Sequence, residues 1–225
     1  MKKRKLQMKK RVDLQTILTA IIIFFISRAF LPGGIIPFGF AAFAAAAIIY
    51  QFELIPSLIF AAGALAGLAT LKQGWQVLVV FLSILFFWGF VRITELLSKS
   101  RFKQSLALLL CHSVAILIVV CIQGFILMDV FKGLIQCAIS LISFLIFISV
   151  VSSFSDDISR KIMTNEEMAC IAISVSIAVM GFPDLVLFTL SIRRLIVIVL
   201  IMVFSYRGGL GTGAATGVTA GILMA

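Results

Sequence analysis

The sequence predicts an all-α fold, a polytopic bundle of about nine transmembrane helices, and two observations lead to that class. First, 62% of the residues are hydrophobic and 12% are charged, whereas soluble domains are about half apolar and about a quarter charged. Second, several apolar runs are long enough to cross a hydrocarbon layer of about 30 Å. None of these runs alternates with the period of two that membrane β-barrels require. Helices are therefore the remaining way to pair the backbone in lipid.

The first four predicted spans are separated by short breaks. The first, residues 14–31, ends at the "PGG" of residues 32–34, and the second covers residues 35–50. The sequence "QFE" precedes the third span, residues 54–71, and "KQG" precedes the fourth, residues 75–91. Because the breaks are short, we expect neighbouring spans to form tight helical hairpins.

Two longer polar stretches divide the middle of the chain. The first, "RITELLSKSRFKQ", precedes the fifth and sixth spans, residues 105–128 and 133–151. The second, "SSFSDDISRKIMTNEE", precedes the seventh span, residues 168–181. Its last residues are typical of a helix start, with Thr164 or Asn165 as the cap and two glutamates in the first turn.

The C-terminal segment "RGGLGTGAATGVTAGILMA" follows an eighth predicted span, residues 185–206. It contains neither the GxxxxGK[ST] of a phosphate loop nor the GxGxxG spacing of a dinucleotide site. Four glycines instead recur at a spacing of four, which places them on nearly one helix face. They are Gly209, Gly213, Gly217 and Gly221. Small residues at this spacing let helices approach closely in lipid, so we predict a ninth span with a helix-packing face and expect Thr216 to point away from it.

The basic residues predict the orientation. Fourteen of the 19 fall in the tail and in alternate loops, which are residues 1–13, 92–104, 152–167 and the turn at Arg207. The tail at residues 1–13 is therefore expected in the cytoplasm, followed by a multi-pass domain over residues 14–225. The net charge of +10 is then explained by contacts with anionic lipid heads, and no nucleic-acid partner is expected.

The tail and the first apolar run also resemble a secretory signal peptide. Against cleavage, the run is long, contains Arg28 and is followed by "PGG" in place of a small-x-small site. We therefore interpret it as an uncleaved span and expect the Arg28 side chain to reach the interface.

Ionisable residues inside spans are candidates for function. His112 lies in the fifth span, where a hydrogen bond between helices is favoured over a proton relay. Arg193 and Arg194 lie in the outer part of the eighth span. Either they reach the outer headgroups from a tilted segment, or they contact Asp184 or Asp129 on another helix.

The remaining polar residues predict no catalytic or metal site. Asp129 and Lys132 fit a short outer turn, where they can pair with each other. The cysteines form no CxxC pair and are interpreted as small packing residues; they are Cys111, Cys121, Cys137 and Cys170.

Three stretches resemble the membrane region of stage II sporulation protein E, in the order and relative position of that family. They are "SRAFLPGGIIPFGFAAFAAA" (residues 27–46), "TNEEMACIAISVSIAVMGF" (residues 164–182) and "YRGGLGTGAATGVTAGI" (residues 206–222). The resemblance implies a cytoplasmic tail, about ten spans, a regulatory segment and a PP2C-type serine/threonine phosphatase that uses manganese or magnesium. It also implies a location at the asymmetric division septum with a tubulin-like cell-division protein. There the enzyme dephosphorylates an anti-anti-sigma factor and so activates the forespore sigma factor.

This chain ends in the ninth predicted span, so we expect the tenth span and the phosphatase domain to lie outside it. No catalytic, cofactor-binding or metal-binding residue is therefore assigned here. The sequence favours a membrane-anchoring and localisation domain that self-associates through helix faces. A small polytopic transporter or channel is the alternative, suggested by Arg193, Arg194 and His112. No matched pair of broken helices in two halves supports it.

The orientation is testable by cysteine labelling. The tail and the loops at residues 92–104 and 152–167 are expected to react only after the membrane is opened, because they carry most of the basic residues. Labelling of Ser98→Cys from outside intact cells would contradict this orientation.

Overall fold

A computed structural model describes residues 2–31, 33–71, 74–94, 100–155, 164–184, 186–187 and 190–224. Within these residues the chain forms eight helices and one antiparallel pair of two-residue strands. The helices are α1 Lys2–Arg28, α2 Phe38–Ile49, α3 Leu54–Ala69, α4 Gly74–Thr94, α5 Arg101–Ile122, α6 Leu127–Ser155, α7 Asn165–Met180 and α8 Ile192–Met224. The strands are β1 Val186–Leu187 and β2 Leu190–Ser191. The predicted all-helical bundle is thus confirmed in outline.

The predicted number of about nine spans exceeds what the helix lengths support. Four helices of the described chain are long and apolar enough to cross a membrane by length and composition, namely α4, α5, α6 and α8, although α8 is interrupted by the non-helical Gly209. The others offer shorter apolar segments, with 12 residues in α2 and 16 in α3 and α7. At 1.5 Å per residue, these three are about 18 to 24 Å long, which is less than the ~30 Å hydrocarbon core.

Several predicted boundaries coincide with observed turns. After α1, a bridge between Leu31 and Ile35 closes a turn in which Gly33 and Gly34 have φ of 86° and 77°. Only glycine adopts such angles at little cost. At the start of α7, Thr164 accepts a hydrogen bond from the Glu167 backbone, and the Glu167 carboxylate accepts one from the Thr164 backbone. This capping box confirms the predicted helix start.

The turn between α5 and α6 lies earlier than predicted. α5 ends at Ile122, and the chain turns through Gly124 with φ 96° and Phe125 with φ 55°. Asp129 and Lys132 therefore lie in the beginning of α6 and not in an outer turn, although they do pair at 3.9 Å. Gly124 is the residue in the sequence that marks the true turn, because its backbone can adopt positive φ.

α2 is the centre of the bundle. Eleven of its 12 residues are buried, and α1, α3, α4 and α6 pack around it. α5 packs on α4 and α6, whereas α7 contacts α1 and α6 and carries α8 on its other side. The short α2 is thus surrounded by protein and not by lipid, which explains why a strongly apolar run can be only 12 residues long.

α1 is approached closely by three neighbouring helices through glycines. A methyl group at Gly63 of α3 would lie 2.9 Å from the Ala20 carbonyl oxygen, and one at Gly67 would overlap the Phe24 carbonyl oxygen. In α2, a methyl at Gly39 would lie 2.8 Å from the Ser27 hydroxyl. Just after α7, a methyl at Gly181 would overlap the carbonyl oxygen of Phe25. At Gly63, Gly67 and Gly181 the backbones touch because no side chain separates them.

Gly67→Leu is expected to destabilise the bundle, because the new side chain must push α3 away from α1. Overpacking costs about 1–3 kcal/mol, and further helix contacts of on the order of 1 kcal/mol each are lost with it. The thermal aggregation midpoint in detergent measures the effect. Ala66→Leu is the matched control, since Ala66 is exposed on the same helix; equal loss in both variants would contradict the close-contact interpretation.

Candidate functional site

The glycine-rich C-terminal segment forms a helical hairpin. α8 is interrupted at Gly209, whose φ of 79° and ψ of −174° are not helical. The Thr212 hydroxyl donates to the Phe204 carbonyl oxygen at 2.8 Å, and a methyl at Gly213 would overlap the Ser205 hydroxyl. Residues eight apart in a straight helix are separated by about 12 Å. The chain therefore reverses at Gly209, and α8 consists of two antiparallel arms, residues 192–208 and 210–224.

The four predicted packing glycines occupy different environments in this hairpin. Gly209 forms the reversal, and Gly213 lies against Ser205 of the first arm. At Gly217 a methyl would lie 3.8 Å from the Ile201 side chain, which is ordinary contact, and at Gly221 it would meet nothing within 4 Å. The close approach between the arms is thus concentrated at Gly213.

The buried face of the second arm is offset from the glycines. Thr212, Thr216 and Ala220 are 3%, 0% and 1% exposed. The prediction that Thr216 points away from the packing face is therefore wrong. The reason is the reversal at Gly209, which brings the second arm against the first. The face buried in this way is not defined by the glycine spacing alone.

His112 is wholly buried at the junction of three helices. Its Nδ1 lies 2.8 Å from the Ser83 hydroxyl of α4, and its ring stacks on Phe40 of α2 with centroids 4.9 Å apart. The Ser83 hydroxyl also lies 2.7 Å from the Val79 carbonyl oxygen, so the histidine tautomer decides which partner donates in the Ser83–His112 bond. The His112 Nε2 is buried without a partner among the described residues. The bond between helices that the sequence favours for His112 is present.

A second polar contact joins α6 to the beginning of α4 and to the segment that precedes α2. The Gln136 amide nitrogen of α6 lies 3.4 Å from the Ile36 carbonyl oxygen and 3.3 Å from the Gln76 side-chain oxygen. Gln136 is 3% exposed. These bonds tie α4 and α6 to the non-helical residues that lead into α2, so the polar interior groups fix helix positions.

Arg193 and Arg194 lie at the start of α8. The Arg193 guanidinium donates to the Phe182 carbonyl oxygen at 2.6 Å, just beyond α7. Asp184 instead accepts a hydrogen bond from Ser191, and Asp129 pairs with Lys132. Neither of the two ion pairs considered from the sequence is formed, because both carboxylates have nearer partners. Arg193 does contact the end of another helix, through a backbone carbonyl.

Metal-binding clusters are not found in the described part of the chain, where no three His, Cys, Asp or Glu side chains come together. The four cysteines are free, two of them buried in the bundle. The acidic loop at residues 156–163 and the loop at residues 95–99 lie outside the described residues. The polar side chains described above instead contact neighbouring helices.

These observations define a helical, polytopic membrane domain whose polar interior groups connect helices. The comparison with protein families gives a specific result. The model described as "SpoIIE, N-terminal domain" matches residues 1–225. The chain belongs to this family, the membrane region of a sporulation phosphatase. No curated protein and no solved structure matches the chain significantly.

One packing motif escaped the sequence analysis. The stretch "GALAG" at residues 63–67 is a GxxxG motif, and its two glycines make the contacts of α3 with α1. The same spacing rule that drew attention to the C-terminal segment applies here. It lies inside the apolar run of residues 54–71, where the sequence shows small residues but not the helix that they contact.

Gly213→Leu is expected to open the α8 hairpin, because the new side chain would occupy the position of Ser205. Ala214→Leu is the matched control, since Ala214 is the next residue and is exposed. Gly213→Leu should lower the thermal aggregation midpoint clearly, with several contacts of on the order of 1 kcal/mol lost together, and Ala214→Leu should not. Equal midpoints for the two variants would argue against the antiparallel arms.

Proposed function

We propose that this chain anchors and localises a PP2C-type serine/threonine phosphatase at the asymmetric division septum of a sporulating cell. The family match over the whole chain carries this proposal. The enzyme would then dephosphorylate an anti-anti-sigma factor and activate the forespore sigma factor. Its phosphatase domain, with manganese or magnesium, would follow a tenth span beyond this chain.

The proposed orientation places the basic tail, the loops at residues 92–104 and 152–167 and the turn at Arg207 in the cytoplasm, as the basic residues indicate. We propose that about nine segments lie within the membrane even though several helices are short. α2 supports this, because its surroundings are protein and a helix that is covered on all sides need not match the bilayer thickness. α8 supports it as well, since its two arms provide two segments.

The mechanism of such a domain is positional. Confinement to one membrane region raises the effective concentration of an attached enzyme near its partners. Self-association through exposed helix faces would raise it further, and the outer surfaces of α5 and α8 offer large apolar side chains such as Leu110, Leu117 and Met202. The tubulin-like cell-division protein is the proposed septal partner.

A transporter or channel is the second candidate, because His112 and Gln136 are buried ionisable and polar groups. The contacts of both groups favour the anchor. His112 is bonded to Ser83 and stacked on Phe40, and Gln136 holds the start of α2. An open cavity of 490 Å³ between α3 and α4 is lined by apolar residues such as Leu65, Val77 and Phe81, which is unsuited to a polar solute.

Localisation provides the test. The full chain fused to a fluorescent protein is expected to concentrate at the asymmetric septum of sporulating cells. An unrelated polytopic protein with the same fusion should spread evenly and serves as the control. An even distribution of this chain around the membrane, at comparable expression, would contradict the proposed localisation. Solute flux through vesicles containing the purified chain would instead favour the transporter.

A further inference from the structure

The C-terminal ends of α1 and α7 meet the beginning of α8 at one end of the bundle. Phe25 of α1 stacks on Phe182, with ring centroids 4.0 Å apart and planes inclined by 4°. Gly181 lies directly against the Phe25 carbonyl oxygen, and a methyl at Gly181 would be 3.2 Å from the Arg28 Cβ. Arg193 bonds the carbonyl oxygen of Phe182. Arg28 and Arg193 therefore flank the same two adjacent residues.

The guanidinium groups at this end have few partners. Arg28 forms no hydrogen bond or ion pair with any described residue, and its guanidinium carbon lies 5.9 Å from the centre of the Phe24 ring. The Nε atoms of Arg28 and Arg193 are both buried without a hydrogen-bond acceptor. Arg194 contributes a third, exposed guanidinium. A buried donor without an acceptor is costly, so an acceptor from outside the chain is expected here.

We propose that Arg28 and Arg193, with Arg194 at the rim, bind a phosphate group, presented by the headgroup of an anionic phospholipid or as free phosphate. Guanidinium groups present several N–H donors in a planar fork that suits phosphate oxygens. Asp184 is the nearby carboxylate, and its oxygen accepts from Ser191. Three positive charges against one negative charge leave this end of the bundle attractive to an anion.

The position at helix ends favours a lipid as the source of the phosphate. Arg28 is the last residue of α1, and the second residue of α8 is Arg193. Long basic side chains at helix ends extend along apolar surface toward the headgroup layer. Phe30 follows Arg28 by two residues, and the carbonyl oxygen of Phe182 accepts the Arg193 bond. The two phenylalanine side chains are 49% and 41% exposed and suit the interfacial part of the bilayer.

The site can be tested with the full chain in detergent. Native mass spectrometry would measure the dissociation constant of the first bound lipid during titration with phosphatidylglycerol or phosphatidylcholine. The wild type is expected to bind phosphatidylglycerol about tenfold more tightly, and Arg28→Gln or Arg193→Gln should remove that preference. Lys132→Gln is the control, because Lys132 is also a basic residue near a helix end but pairs with Asp129.

A parallel titration with inorganic phosphate, followed by the thermal aggregation midpoint, distinguishes the two sources. Stabilisation by phosphate that both glutamine variants lose would identify free phosphate as the ligand. If the glutamine variants lose the preference for phosphatidylglycerol and phosphate does not stabilise the wild type, the ligand is the lipid headgroup. A wild-type chain that neither prefers phosphatidylglycerol nor is stabilised by phosphate would overturn the proposal. So would a Lys132→Gln variant that loses these responses as fully as the two arginine variants. If the glutamine variants aggregate, Arg28→Lys and Arg193→Lys keep the charge and should bind more weakly than the wild type.

Discussion

The contact that the rest of the bundle depends on is the direct approach of neighbouring backbones to α1. Gly63 and Gly67 bring α3 against the Ala20 and Phe24 carbonyl oxygens, and Gly181 brings the end of α7 against Phe25. Lipid tails are as apolar as leucine, so helices in a bilayer gain little from the hydrophobic effect when they associate. They gain from close van der Waals contact, which is largest where no side chain intervenes. α1 can therefore hold α3 and α7 together with short, glycine-based contacts.

Much of the fold was predictable because apolar runs and turn residues are local signals. The Thr164 cap and the break at Gly33 and Gly34 lie where the sequence places them. The α5–α6 turn was missed because one glycine, Gly124, interrupts an otherwise continuous apolar run. The helix lengths support fewer spans than hydropathy predicts, because hydropathy does not distinguish an environment of lipid from one of apolar protein. α2 is apolar because apolar protein surrounds it, and a helix enclosed by protein can be short.

The packing surfaces were harder to predict than the helices. A spacing of four identifies a face of small residues, but it does not identify the partner that covers this face. In α8 the partner is the preceding arm, and the burial of Thr216 follows from the reversal at Gly209. In α3 the partner is α1, since Gly63 contacts Ala20 and Gly67 contacts Phe24, 43 residues earlier in the chain. Sequence spacing is a property of one helix, whereas burial is a property of two.

The polar groups divide into two classes by position, and the division bears on function. In the interior, the His112 Nδ1 and the Gln136 amide are bonded to other helices, so that they fix the arrangement of α2, α4, α5 and α6. At the end of the bundle, Arg28 and the Arg193 Nε are left without acceptors. A transport pathway would require polar groups free to exchange partners inside the bundle. In the interior, His112 Nε2, Ser140 Oγ and Ser174 Oγ are also buried without a partner in the described part of the chain. The interior bonds of His112 Nδ1 and Gln136 nevertheless join different helices, as expected of groups that hold the bundle together, whereas the arginines lie where helices end and can meet the membrane surface.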